Sequence, residues 1–230
     1  MTIFALAVVL ILLVVGDRVA VAIAENDIAN QIQTQAKLTA KPSVDIPGFP
    51  FLTQVISKDL HEVDISMNNV SAGPVTITSI HAVAKGLHIN GSWNGGLIDS
   101  INGTAFVSFG ALGQALSATG ASQIVSISLS QAGPNKVKAT ANFAGLASVT
   151  ETATVTQAGN KIMVVWDNNG SSSGGGILGG ILGGSNGPAL LPLSFTLPPN
   201  VPAGLKLASV SVTSQGVVAT VSAQHTYLAE

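Results

Sequence analysis

The sequence predicts an α+β domain: a long N-terminal helix laid against a strongly curved antiparallel β-sheet, with a short second helix. Three observations carry that prediction. Apolar residues persist from Ile3 and settle into helical spacing by Gln35. Beyond Ala36, short alternating runs separated by tight-turn dipeptides take over. Between the two regimes lies Val44–Val70, VDIPGFPFLTQVISKDLHEVDISMNNV, a proline-punctuated apolar corner that runs into a strand.

Composition bounds the possibilities. A chain of 230 residues is long enough for one domain with a real core, plus an N-terminal segment. Only 9% of residues are charged and 47% are hydrophobic, against roughly 25% charged in ordinary soluble domains. That balance provides more apolar surface than a simple core needs. A net charge of -2 with scattered lysines leaves no footprint for nucleic acid. The lack of cysteine removes disulfides, thiolate chemistry and cysteine-ligated metals.

Ile3–Val15 is thirteen apolar residues without interruption. As a helix it reaches about 20 Å, short of the ~30 Å hydrocarbon core of a bilayer. Continued through Gly16, Asp17 and Arg18 to Ala24, it becomes long enough, with a charged pair near its middle. Two readings of residues 1–24 follow. A signal peptide would be cut at Ala22-Ile23-Ala24, which has the small-x-small form, whereas a signal anchor would run on into the next helix. Either one implies export and leaves 25–230 as a single domain. Val21, Ala24, Ile28, Ile32 and Gln35 fall roughly on one face, with Glu25, Asp27 and Asn30 elsewhere. This is an amphipathic helix ending near Gln35.

Ala36–Ile46 reads as extended. In the corner, Pro47 and Pro50 fix φ and Gly48 lets the chain bend, which presents Phe49, Phe51 and Leu52 close together on a stiff backbone. Val63, Ile65 and Met67 then alternate with polar residues, the period of a half-buried strand. Val75–His88 is a long strand with a slip of phase near Ser79–Ile80 that suggests a bulge. Asn90-Gly91, Asn94-Gly95 and Asn102-Gly103 predict tight reversals within Leu87–Phe109. Leu112 and Leu116 predict a short helix over Phe109–Thr119. Strands follow around Val125–Leu129 and over Lys136–Phe143, Ser148–Gln157 and Lys161–Trp166, joined by turns at Ala132–Asn135 and Ala158–Asn160. Residues 168–187, NNGSSSGGGILGGILGGSNG, have the composition of a flexible loop. Its pairs Ile177-Leu178 and Ile181-Leu182 leave open a lid or membrane-touching flap. Leu190–Val201 reads as a proline-rich edge, and Leu205–Thr213 with Val217–Ala223 closes the domain as a hairpin through Ser214-Gln215-Gly216.

No catalytic constellation assembles. Gly183–Gly187 matches the G-x-S-x-G string of serine hydrolases but lacks the strand-to-helix context that the mechanism requires. His61, His81, His88 and His225 fall on strands without metal-ligand spacing. The four N-x-S/T sequons are what turn chemistry produces in a chain rich in Asn, Gly, Ser and Thr.

GFPFLTQ followed by an alternating strand resembles the signature of the actinobacterial LmeA-like phospholipid-binding family. Gly16-Asp17-Arg18 leading into the Ala/Ile helix fits the same pattern, as does LPLSFTLPPNVPAGLKLASVSVTSQGVVATVS at the end of the chain. The resemblance implies a tubular, lipid-binding-like architecture. It also implies phospholipid as ligand, of the phosphatidylinositol type, and a supporting role in assembly of mannosylated phosphatidylinositol glycolipids such as lipomannan. On that expectation the apolar groove is lined by Ile28, Ile32, Phe49, Phe51, Leu52, Val63, Ile65 and Met67. Lys37, Lys41 and Lys58 are candidates for the lipid head group. The partners expected are a phospholipid and a membrane surface in the cell envelope, with no cofactor, metal or enzymatic activity. The competing class is a structural or adhesive surface β-protein with a solid core and no ligand cavity.

Overall fold

A computed structural model describes residues 2–73, 75–91, 95–119, 124–143, 148–166 and 204–228. The elements run α1 (Thr2–Gln35), β1 (Ser43–Asp45), α2 (Phe51–Ser57), β2 (Asp59–Ala72), β3 (Val75–Ile89), β4 (Gly96–Ser108), α3 (Phe109–Thr119), β5 (Ile124–Gly133), β6 (Lys136–Phe143), β7 (Val149–Ala158), β8 (Lys161–Trp166), β9 (Lys206–Val212) and β10 (Gly216–Leu228). The expected loop 168–187, the extended stretch Leu190–Val201 and the G-x-S-x-G string all lie outside the described residues.

The α+β class is as expected, and every strand pair is antiparallel. The strands divide between two open sheets, one ordered β1-β2-β3-β4-β10-β9 and one ordered β5-β6-β7-β8. The division has a topological cause. The free edge of β4 pairs with β10 from Ser108 to Gly96, so the strands that follow α3 have no edge there to join. They form their own sheet, which closes over α3. Phe109, Leu112 and Leu116 pack with Ile127, Val137, Val155 and Val164 in one buried cluster that also takes in Val212 of β9. Gln131 Nε2 donates to Val212 O at 2.9 Å and Gln157 Nε2 to Leu207 O at 2.6 Å, holding the small sheet against β9.

α1 is a single unbroken helix of 34 residues, continuous through Ala22-Ile23-Ala24. The stripe read from the sequence faces the protein from Val21 to Ile32, while Gln35 at its end is exposed. Val21 and Ala29 are buried, and Ala24, Ile28 and Ile32 pack partly buried around them, together with Val44, Ile46, Phe51, Leu60 and Val63. The core is therefore split along the molecule. One cluster lies under α1 and α2, and a small one lies around Ile98, Ile101 and Ala223. The largest fills the far end, between α3 and the four-stranded sheet. The long strands separate the two ends: β4 alone, with 13 residues, spans about 40 Å.

One element is additional to the sequence expectation, and two local expectations are corrected. Pro50, with φ -76° and ψ 137°, is the N-cap of α2, a helix of 7 residues too short to show a period. The β2–β3 and β3–β4 registers run through Ser79 and Ile80 without a shift, so there is no bulge at that point. Asn102-Gly103 is no turn; both residues lie inside β4, paired with Ser222 and Val221 of β10. A Cβ on Gly103 would come within 2.9 Å of Val221 Cγ2, so this glycine serves close strand packing. Asn94 of the expected Asn94-Gly95 turn lies outside the described residues, and the reversals between β3 and β4 and between β7 and β8 are as expected. Asn90 N donates to Gly95 O at 2.9 Å between β3 and β4, and Ala158 pairs with Lys161 around Gly159, at φ +60°.

Candidate lipid-binding surface

After α1 the chain turns back and climbs along it. Lys41 Nζ donates to Asn26 Oδ1, Ile46 N to Glu25 Oε1 at 2.9 Å and Arg18 Nη2 to Gly48 O at 3.1 Å. Leu52 N donates to Asp17 Oδ1 at 2.8 Å. Each contact lies nearer the N-terminus of α1 than the one before, so the proline corner ends level with Asp17, within a turn of the last residues of the apolar run.

Asp17 fastens the corner. It is 2% exposed on a helix otherwise apolar in this region, and it accepts from the second residue of α2, whose N-cap, Pro50, has no polar side chain to offer. An N-cap is ordinarily a Ser, Thr, Asp or Asn of the same segment; here another helix supplies it. Arg18 pairs with Asp17 at 2.6 Å and lies over the Phe49 ring, 5.2 Å from its centroid. The buried Gln54 holds the other side. Its Nε2 reaches Pro47 O at 3.4 Å and its Oε1 accepts from His61 N at 3.0 Å. Gly48, at φ +112°, leaves no room for a Cβ, which would lie 2.6 Å from Gln54 Nε2.

Above this latch, α1 is bare. Its residues from Phe4 to Val15 are exposed all round, Phe4 by 77% and Leu12 by 64%, and the helix is long and apolar enough to cross a membrane. Below Val15 only the outward stripe stays open. Val14, Val15, Val19, Ala22 and Ile23 line an open trough of about 660 Å³, with Arg18 and Asn26 as its polar members. Among the described residues, every large exposed hydrophobic side chain except Val165 lies in one of three places. These are α1, the segment Phe49–Ile56, and Tyr227, which pairs with Leu97 at the same end of the sheet.

The residues expected to line a groove take different places. Ile28, Ile32, Phe51, Val63 and Ile65 come together in the packed cluster beneath α1. Phe49 and Leu52 turn outward, and Met67 is half-buried on β2, outside that cluster. The three lysines are not brought together. Lys58 is the left-handed C-cap of α2 and donates to Gly91 O at 2.9 Å. Lys41 is level with Asn26, nine helical residues and about 14 Å below Asp17, and Lys37 follows the far end of α1. The candidate residues absent from the sequence expectation are Val19, Ile23 and Ile56, with Asp17 and Arg18 as the latch. A charged pair inside an apolar run was the available signal, since such a pair persists only where it finds partners.

Among the described residues, no group of three or more His, Cys, Asp or Glu is placed to hold a metal. His88 lies 3.4 Å from both Asp59 and Asp99 at the sheet surface, and His81 Nδ1 is 3.0 Å from Ser66 Oγ.

The model of the LmeA-like phospholipid-binding family matches residues 15–222. The chain belongs to that family. The match opens two residues ahead of Asp17, so the latch and all of the trough's lining except Val14 fall within the matched region. Membership assigns the protein to phospholipid binding as a class. No curated protein and no solved structure matches the chain.

Proposed function

We propose that the protein is exported and kept at the membrane by α1, where it holds or transfers a phospholipid along the outward face of that helix. The observation that carries this reading is the continuity of apolar surface from Phe4 down through Val15, Val19 and Ile23 into the trough. An acyl chain leaving the bilayer along α1 exchanges one apolar neighbour for another. Part of the ~0.8 kcal/mol per CH₂ that opposes exposure to water is then avoided on the side that faces the helix. Arg18, 49% exposed at the side of the trough, is the cation that meets a phosphate there, ahead of the more distant Lys37, Lys41 and Lys58. Ile28, Ile32, Phe51, Val63 and Ile65 form the wall behind the helix, and Phe49 and Leu52 its rim.

On this reading α1 is an anchor that stays with the domain. Cutting after Ala24 would remove Asp17 and Val21 from the packed interior. An envelope location, a ligand of the phosphatidylinositol type and support of lipomannan assembly are the finer parts of the proposal, and they rest on the family resemblance. The test is native mass spectrometry of the full chain released from detergent, with organic extraction of what accompanies it. Co-purifying phospholipid near one per chain supports the reading. A lipid-free mass that persists after incubation with phospholipid vesicles contradicts it and favours a structural surface protein.

A further inference from the structure

Among the described residues, the exposed large hydrophobic side chains beyond α1 gather mainly at the proline corner, and their placement is specific. Phe49 is 61% exposed, Leu52 38% and Ile56 81%. Leu52 and Ile56 are one helical turn apart on the outer side of α2, while Phe51 and Gln54 face inward. All three residues stand on backbone that is already fixed by Pro47 and Pro50, the Asp17–Leu52 bond and the Gln54 contacts. Presenting them to an apolar phase therefore costs little ordering entropy. The corner is level with Asp17, only about 3 Å along the helix axis from Val15. Arg18 covers the Phe49 ring with its side chain half exposed, the placement of a cation that reaches phosphates while its stem stays in an apolar layer.

We propose that Phe49, Leu52 and Ile56 insert into the head-group boundary of the bilayer that α1 enters, so that corner and helix together seat the domain on the membrane. The occupant of this patch is a lipid surface, because the patch is continuous with the bare turns of α1 and shares their side of the latch. Tyr227, 74% exposed at the same end of the sheet, fits an aromatic at the membrane interface. The opposite end, with the four-stranded sheet, carries one exposed large hydrophobic among the described residues, Val165 on β8, and no cluster of them. Seated in this way, the trough opens at the level of the acyl chains. The inference rests on the reading of α1 as a membrane helix and adds an orientation to it.

The absence of cysteine makes the test direct. Full-length Leu12→Cys, Ile56→Cys and Ala132→Cys, each labelled with an environment-sensitive fluorophore, are reconstituted in phosphatidylcholine–phosphatidylglycerol vesicles with and without brominated acyl chains. Position 56 is 81% exposed and position 132 is exposed near the distal end of β5, so both labels are borne outside the core. The expected result is blue-shifted emission and several-fold stronger bromolipid quenching at position 56 than at 132, with the strongest quenching at 12. Quenching at 12 with position 56 no different from 132 overturns the seat and leaves the membrane helix standing. No quenching at position 12 overturns both.

Discussion

Phe49 and Phe51 are two residues apart in GFPFLTQ and look interchangeable, yet the fold gives them opposite tasks. Phe51 is 4% exposed in the cluster beneath α1, with Val21, Ala29, Leu60 and Val63 around it. Truncating it to Ala removes a buried ring and leaves a cavity between helix and sheet, a change that costs about 3–4 kcal/mol. For a chain of this size that lowers the unfolding midpoint by about 10 °C. Phe49 is 61% exposed, with the Arg18 guanidinium over its ring. Phe49→Ala therefore costs no more than the ~0.5–1 kcal/mol of an exposed cation–π pair. The assay is thermal unfolding of the full-length variants in mild detergent, followed by circular dichroism. Equal shifts for the two variants, or the larger shift for Phe49→Ala, would refute this assignment of inside and outside.

Other outcomes follow from the same contacts. Asp17→Ala leaves the Leu52 amide without its acceptor, so hydrogen exchange at residues 51–52 accelerates; Asp17→Asn, which keeps a side-chain oxygen, retains most of the protection. Gly103→Ala forces its new methyl against Val221 and destabilises by about 1–3 kcal/mol in the same unfolding assay. A chain beginning at Glu25 lacks Asp17 and Val21 and is cut by protease faster than one beginning at Gly16. By the same reasoning, the intact mass of protein recovered from native membranes includes residues 1–24; a mass beginning at residue 25 contradicts retention.

Much of this architecture is legible where periodicity is long. The stripe Val21–Ala24–Ile28–Ile32 faces the core as its spacing implies, and the β2–β3 and β9–β10 hairpins fall close to where alternation and turn dipeptides place them. Errors arise where one residue type serves two physical ends. Glycine after asparagine is a turn signal because it tolerates positive φ, but at Gly103 the missing Cβ is used to admit Val221. Proline after phenylalanine signals extended chain, but Pro50 is equally suited to stand just before a helix, and seven residues of α2 give no second turn of pattern to reveal it. The division into two sheets depends on β10 returning from the end of the chain to take the edge of β4, a pairing more than a hundred residues apart that no local window contains. The site suffers from the same limit. Adjacency in sequence groups Lys41 with the corner, whereas its bond to Asn26 of α1 sets it about 14 Å away from it. Asp17 and Arg18, which do reach the corner, stand some thirty residues upstream of it.

The central claim is that lipid runs along the outward face of α1, and photo-crosslinking tests it most directly. Full-length protein in vesicles containing a phosphatidylinositol with a diazirine in its acyl chain is irradiated and digested, and the modified residues are mapped by mass spectrometry. The account predicts crosslinks to α1 through Val19 and Ile23, beyond the end of the all-round apolar run at Val15, and a loss of the 19–23 crosslinks in Val19→Asp. Crosslinks that stop at Val15, or that fall mainly on the four-stranded sheet, would contradict it.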